Sequence, residues 1–144
     1  MFKKFMCLLM VIVCMSGLVA CGGEEKEPEY VQTLNDLIDI IEAENPYYKV
    51  EKEYDKKGKV YILTVEQDKA GVINEVEKML VEEGMDSSYR DTVVNMTMEQ
   101  MDTNDEMINT MIDIYDDLLS GVDVGTSFKY EVRYKKLDGT LIKK

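Results

Sequence analysis

From Phe5 to Ala20 the chain carries no charged residue, and the run stops at Cys21, where an acidic tail begins. This feature decides how much of the chain is left to fold. Lys3 and Lys4 supply the only charge ahead of the run. That order, positive residues, then an apolar stretch, then small residues before a cut, is that of a secretory signal. Sixteen residues fall short of the roughly 20 that cross a bilayer, and Ser16 and Gly17 weaken the run further. A membrane-spanning helix is the poorer reading. Residues 1–20 are expected to be removed, taking Cys7 and Cys14 with them. The remaining 124 residues are enough for one core and too few for two comfortable domains.

Leu18, Val19 and Ala20 leading into Cys21 resemble the lipobox of bacterial lipoproteins. The resemblance implies a thioether between the Cys21 thiol and diacylglycerol, then cleavage just before Cys21, with the new amino group open to N-acylation. No other cofactor is implied. The two chains of a diacylglycerol anchor stably where a single acyl chain binds only marginally. The expected location is the outer face of a cell membrane, extracytoplasmic and lipid-anchored. The mature chain is then left without a free thiol or a disulfide, so an exported domain must be held by its core.

With 15 basic against 29 acidic residues, the mature chain carries a net charge of −14. Nucleic acid is an improbable partner, because phosphate binding needs clustered Lys and Arg. An anionic membrane surface also repels such a chain, and the domain is expected to stand off the headgroups. Residues 22–29 read as a flexible acidic tether of two glycines, four glutamates and a proline.

Residues 30–144 read as one domain. Val31, Leu34, Leu37, Ile38 and Ile41 recur at helical spacing up to Asn45-Pro46, which stops the helix. Residues 47–54 alternate, with Tyr48, Val50 and Tyr54 on one face. Asp55-Lys56-Lys57-Gly58 is a turn, and residues 59–66 return as a strand apolar on both faces, hence central. Val72, Ile73, Val76, Met79 and Leu80 mark a helix ended near Gly84. Residues 88–119 are mostly helical, with one stripe of Met107, Met111, Ile114 and Leu118 beside another of Ile108, Ile112, Tyr115 and Leu119. Thr103-Asn104-Asp105-Glu106 has capping-box spacing and predicts a break. Residues 128–135 alternate as a strand, and Asp138-Gly139 predicts a tight turn into a short return strand at Leu141 and Ile142. The order α-β-β-α-α-β-β predicts an α+β fold with a small antiparallel sheet of three to four strands packed against helices.

The blocks "GKVYILTVE" and "YEVRYKKLDGTLIKK" resemble the strand blocks of a family of small Gram-positive lipoproteins catalogued as a domain of unknown function. That resemblance implies fold and location and brings no catalytic residues.

Most catalytic templates fail on inventory. The chain has no histidine, so the usual acid–base group and the commonest metal ligand are missing. Ser87, Ser88, Ser120 and Ser127 fall in no serine–lysine motif. A carboxylate pair is the remaining route to a wall hydrolase, and Glu66, at a strand end, is a candidate more simply read as solvated. The acidic stretch from Asp102 lacks the glycine and glutamate of a calcium loop, with Met107 and Asp113 in their places. Asp113, Asp116 and Asp117 on one helix could hold a divalent cation loosely. Met79, Met85, Met96, Met98, Met101, Met107 and Met111 could form an adaptable groove or bind copper(I), and more simply fill the core. Tyr48, Tyr54, Tyr61, Tyr130 and Tyr134 all fall on predicted strands and form a candidate binding surface, or more simply lie under the helices with their hydroxyls at the rim. The expected function is a non-enzymatic, lipid-anchored surface module for a protein, peptide or cell-wall ligand. A weak divalent-cation binder is the alternative, followed by a carboxylate-dependent wall hydrolase.

Overall fold

A computed structural model describes residues 26–143. The signal segment, Leu18, Val19, Ala20 and Cys21 lie outside the described residues. The α+β fold follows the expected order: helix α1 (Glu29–Glu44), strands β1 (Tyr48–Asp55) and β2 (Val60–Gln67), helices α2 (Lys69–Glu82), α3 (Arg90–Thr103) and α4 (Asp105–Gly121), then strands β3 (Lys129–Lys135) and β4 (Leu141–Lys143). The first helix takes in Glu29, so the tether ends one residue earlier than its composition implied.

The strands lie in the order β1-β2-β3-β4. The two outer pairings are antiparallel, as expected, but β2 and β3 at the centre run parallel. The physical reason is the connection between them. Helices α2, α3 and α4 follow one another without a strand, so together they act as a single long crossover that brings the chain back to the start of β2. Clustered elements favour antiparallel pairing only where consecutive strands meet through short turns, and no short turn joins these two.

The register sorts the sheet into two faces. Tyr48, Val50, Lys52 and Tyr54 on β1 stand opposite Gln67, Val65, Leu63 and Tyr61 on β2. Tyr61, Leu63 and Val65 in turn stand beside Tyr130, Val132 and Tyr134 on β3. This face carries the core: Tyr61, Leu63, Val65 and Tyr134 are wholly buried, under Leu34 and Ile38 of α1, Val72, Val76 and Leu80 of α2, and Ile108, Ile112, Tyr115 and Leu119 of α4. The opposite face is mostly polar, apart from buried Ile62, and carries ion pairs along and across its strands. Glu66 meets Lys49 at 3.4 Å and Lys135 at 3.8 Å, and Glu131 meets Arg133 at 2.5 Å and Lys143 at 3.0 Å.

Helix α1 closes the β1 edge. Asn35, Asp39 and Glu42 follow each other at helical spacing, and each reaches the sheet. The Tyr61 hydroxyl donates to Asn35 Oδ1 at 2.7 Å, Lys52 Nζ pairs with Asp39, and the Val50 N–H donates to Glu42 Oε2 at 2.5 Å. A carboxylate on an exposed edge donor blocks pairing with another strand.

The expected helix ends are present. Gly84, at φ 64, follows the Glu83 cap of α2. The Gly84 N–H donates to the Val81 carbonyl and the Met85 N–H to the Leu80 carbonyl, the paired bonds of a Schellman stop. The break between α3 and α4 falls at the expected tetrad, one residue along. Asn104, not Thr103, is the cap, its Oδ1 accepting the Glu106 and Met107 N–H groups at 3.1 Å. Thr103 instead donates its hydroxyl back to the Glu99 carbonyl. The two apolar stripes of α4 resolve into one: Ile108, Met111, Ile112, Tyr115 and Leu119 are buried, whereas Met107 and Ile114 are exposed. The helix has room for one stripe against the sheet.

Burial raises the tyrosine pKa values. Tyr115 and Tyr134 are pushed up to about 12, and Tyr61, with Asp39 nearby, is raised as well. An unfolded tyrosine ionises near pH 10. The stability linked to these groups is therefore complete below pH 10 and is lost as pH climbs through 12, at roughly 2–3 kcal/mol for each of Tyr115 and Tyr134. Stability by urea titration should be flat from pH 6 to 9, since histidine is absent. It should then fall steeply above pH 10, in step with ionisation of the buried rings. Ionisation of Tyr61, Tyr115 and Tyr134 near pH 10 without loss of structure would contradict this burial.

Candidate functional site

The five strand tyrosines do not form a surface. Tyr48, Tyr61 and Tyr134 are core residues, because the face they share is the one the helices cover. The Tyr134 hydroxyl donates to the Met101 carbonyl at 3.0 Å, and its ring meets Tyr48 edge-on at 6.3 Å. Tyr54 and Tyr130 differ. They flank Tyr61 in one row across three strands and are only half-buried.

At this open end of the sheet the two outer tyrosines join residues from elsewhere in the chain. Tyr30, in the first turn of α1, lies edge-on to Tyr54 at 6.4 Å and tilted against Phe128 at 5.4 Å. Phe128 continues to Tyr130 at 5.9 Å. Four rings thus run from β1 past the start of α1 to β3. Tyr30 is raised to about 12, first by burial and then by the hydroxyl hydrogen bond and charge coupling with Tyr54. Tyr130 is raised by burial and by Asp116, whose backbone carbonyl accepts its hydroxyl at 3.5 Å.

Tyr30, Tyr54 and Phe128 floor an open groove of about 640 Å³, and Lys26, Lys56, Lys59 and Lys129 rim it. Four cations converge here in a chain with a twelve-charge acidic excess. Local geometry shapes the turn that carries Lys56 and Lys59. The Asp55 carboxylate accepts the Lys57 N–H at 3.0 Å, folding the β1–β2 turn back on itself. Lys59 completes that turn at φ 54, a left-handed conformation that ordinary side chains seldom adopt. Lys26 and Pro28 bring the incoming chain along the same groove. The arrangement is suited to an anionic group seated among lysines against a ring face. Ser127, one of the serines of the sequence analysis, also lines the groove.

Sequence reasoning found Tyr54 and Tyr130 and missed Tyr30, Phe128 and the lysines. The turn Lys56-Lys57-Gly58-Lys59 was legible only as a turn. Its concentration of positive charge in an acidic chain was the available signal.

The other candidates are placed as follows. Glu66 sits between Lys49 and Lys135 on the open sheet face, in ion pairs rather than in an apolar pocket. Asp113, Asp116 and Asp117 lie along α4, and among the described residues no group of three or more metal-ligating side chains converges. Met101 and Met111 are core residues, whereas Met79, Met85, Met96 and Met107 are exposed. Asp86, Asp138 and Glu131 have depressed pKa values, the first two from hydrogen bonds to Ser88 and Thr140, the last from Arg133 and Lys143. A general acid needs the opposite shift. Among the described residues no helix is long and apolar enough to cross a membrane. No family model, curated protein or solved structure matches the chain.

Proposed function

We propose that the protein is a lipid-anchored, extracytoplasmic surface module that binds an anionic ligand and carries out no catalysis. One convergence supports the reading: the segment that follows Cys21 enters the domain, at Lys26 and Pro28, along a groove that combines rings with lysines. The other described groove is lined by Pro46, Gly71 and the acidic side of α2, without an aromatic residue. The lipobox resemblance supplies the location, and the resemblance to small Gram-positive lipoproteins agrees with it. The lysine rim and the three rings of the groove supply the ligand class. Neither the cation-binding reading nor the hydrolase reading has a comparable feature in its favour.

Substitution of Cys21→Ala tests the anchor. In cells, the variant is expected to leave the membrane fraction for the medium or the soluble fraction, while the parent stays in the membrane. Equal membrane retention of both would contradict lipidation.

A further inference from the structure

The acidic chain as a whole is repelled by an anionic bilayer, yet its charge is not spread evenly. Lys26, Lys56, Lys59 and Lys129 stand at one end, around half-buried Tyr30, Tyr54 and Phe128. That end is also where the chain enters. Cys21 precedes Lys26 by five residues, a span of at most about 18 Å when fully extended. The cationic end therefore cannot stray far from a bilayer that holds Cys21.

Two general properties select the occupant. Lysines close to an anionic leaflet are attracted to it, and the attraction dies away within a Debye length. Tyrosine, apolar in its ring and polar at its tip, is enriched where a membrane meets water. The groove presents both together. Among the described residues, the Asp55 carboxylate is turned into the β1–β2 bend, and Glu27 and Glu29 stand outside the groove lining.

We propose that this groove seats on the anionic phospholipid headgroups of the bilayer that holds Cys21, so that the open end of the sheet faces the membrane and the domain does not stand clear of it. The proposal rests on the lipid-anchored reading and names the ligand of that same site. The orientation it sets is opposite to what net charge alone implies. Within a Debye length of the headgroups the nearest charges outweigh the distant acidic ones, and the short tether lets the lysines come that close.

The test uses the lipidated protein, purified from membranes and reconstituted into vesicles. One set is pure phosphatidylcholine, and the other contains phosphatidylglycerol. Lys57→Cys places a spin label on the exposed turn, outside the groove lining, and Cys21 is blocked by its lipid. A nickel-chelating headgroup reports the label's closeness to the surface. The label is expected to lie close in the phosphatidylglycerol vesicles and remote in the neutral ones, with the difference erased by high salt. A variant with Lys56→Gln, Lys59→Gly and Lys129→Gln should lower the docked-to-undocked ratio about 100-fold. Glycine suits the left-handed position of Lys59, so the thermal midpoint of that variant should hold. Sedimentation with neutral vesicles reads the anchor separately. A chain that fails to sediment with them contradicts the anchor and this proposal together. A chain that sediments, but shows the same label signal on both vesicles, contradicts the docking alone. So does a soluble polyglutamate peptide that binds the groove while the vesicles differ in nothing, which would assign the site to an acidic protein segment instead.

Discussion

Replacing Tyr134 with alanine is expected to destabilise the domain by about 3–5 kcal/mol, a large part of what a domain of this size has. The ring is fully buried and packs edge-on against Tyr48. Its hydroxyl donates to the Met101 carbonyl at 3.0 Å, tying the central parallel strand to the last turn of α3. Truncation leaves a cavity at the junction of three elements and removes a buried hydrogen bond. Tyr134→Phe keeps the ring and should lose only about 1 kcal/mol. Tyr115 is the contrast. Its hydroxyl is buried with no partner among the described residues, so Tyr115→Phe should be neutral or slightly stabilising. Urea midpoints at constant slope read all three. A Tyr134→Ala variant within 1 kcal/mol of the parent would place that ring outside the core.

Gly71→Ala should cost about 2 kcal/mol or more, although alanine is the better helix former by about 1 kcal/mol. Gly71 lies in the first turn of α2, where the helix start crosses the Asn45-Pro46 turn. A Cβ there would overlap the Pro46 carbonyl oxygen and come within 3.0 Å of the carbonyl carbon. Both are backbone atoms, and the turn is fixed by the Asp68 N–H donating to the Tyr47 carbonyl at 2.9 Å. It cannot move without dragging β1 with it. Gly121, at the end of α4, has open space around it. Gly121→Ala should therefore be neutral or stabilising by up to about 1 kcal/mol. Thermal melts of the pair compare the two signs directly. Equal effects at both glycines would contradict the close crossing.

Much of the architecture was legible because it rests on local patterns. The alternation around Val50 and Val132, the stop at Asn45-Pro46 and the turn at Asp138-Gly139 are each decided by a few adjacent residues. The break near Asn104 was legible for the same reason. Its exact cap was not, because Thr103 and Asn104 compete for the same backbone donors. The parallel β2–β3 pairing was hidden, since it depends on how three helices return the chain and not on either strand. Met107 and Ile108 illustrate a finer limit. Both fit an apolar stripe, and only the position of the sheet decides which one is buried.

The site was the least legible part. Tyr54 and Tyr130 were visible as strand tyrosines, but whether they faced water depended on which sheet face the helices chose. The helices cover the tyrosine face, so Tyr61 and Tyr134 became core while their neighbours at the open end stayed on the rim. Lys26, Lys56, Lys59 and Lys129 come from three separate segments. No spacing in the sequence brings them together, and the acidic background conceals them in any count of net charge.

The proposed anchor places the attachment at Cys21. Intact-mass analysis of the native protein, with fragmentation of its N-terminal peptide, tests this most directly. The expected result is a chain beginning at Cys21 that carries the added mass of a diacylglyceryl group on sulfur. A chain beginning elsewhere, or an unmodified Cys21, would contradict it.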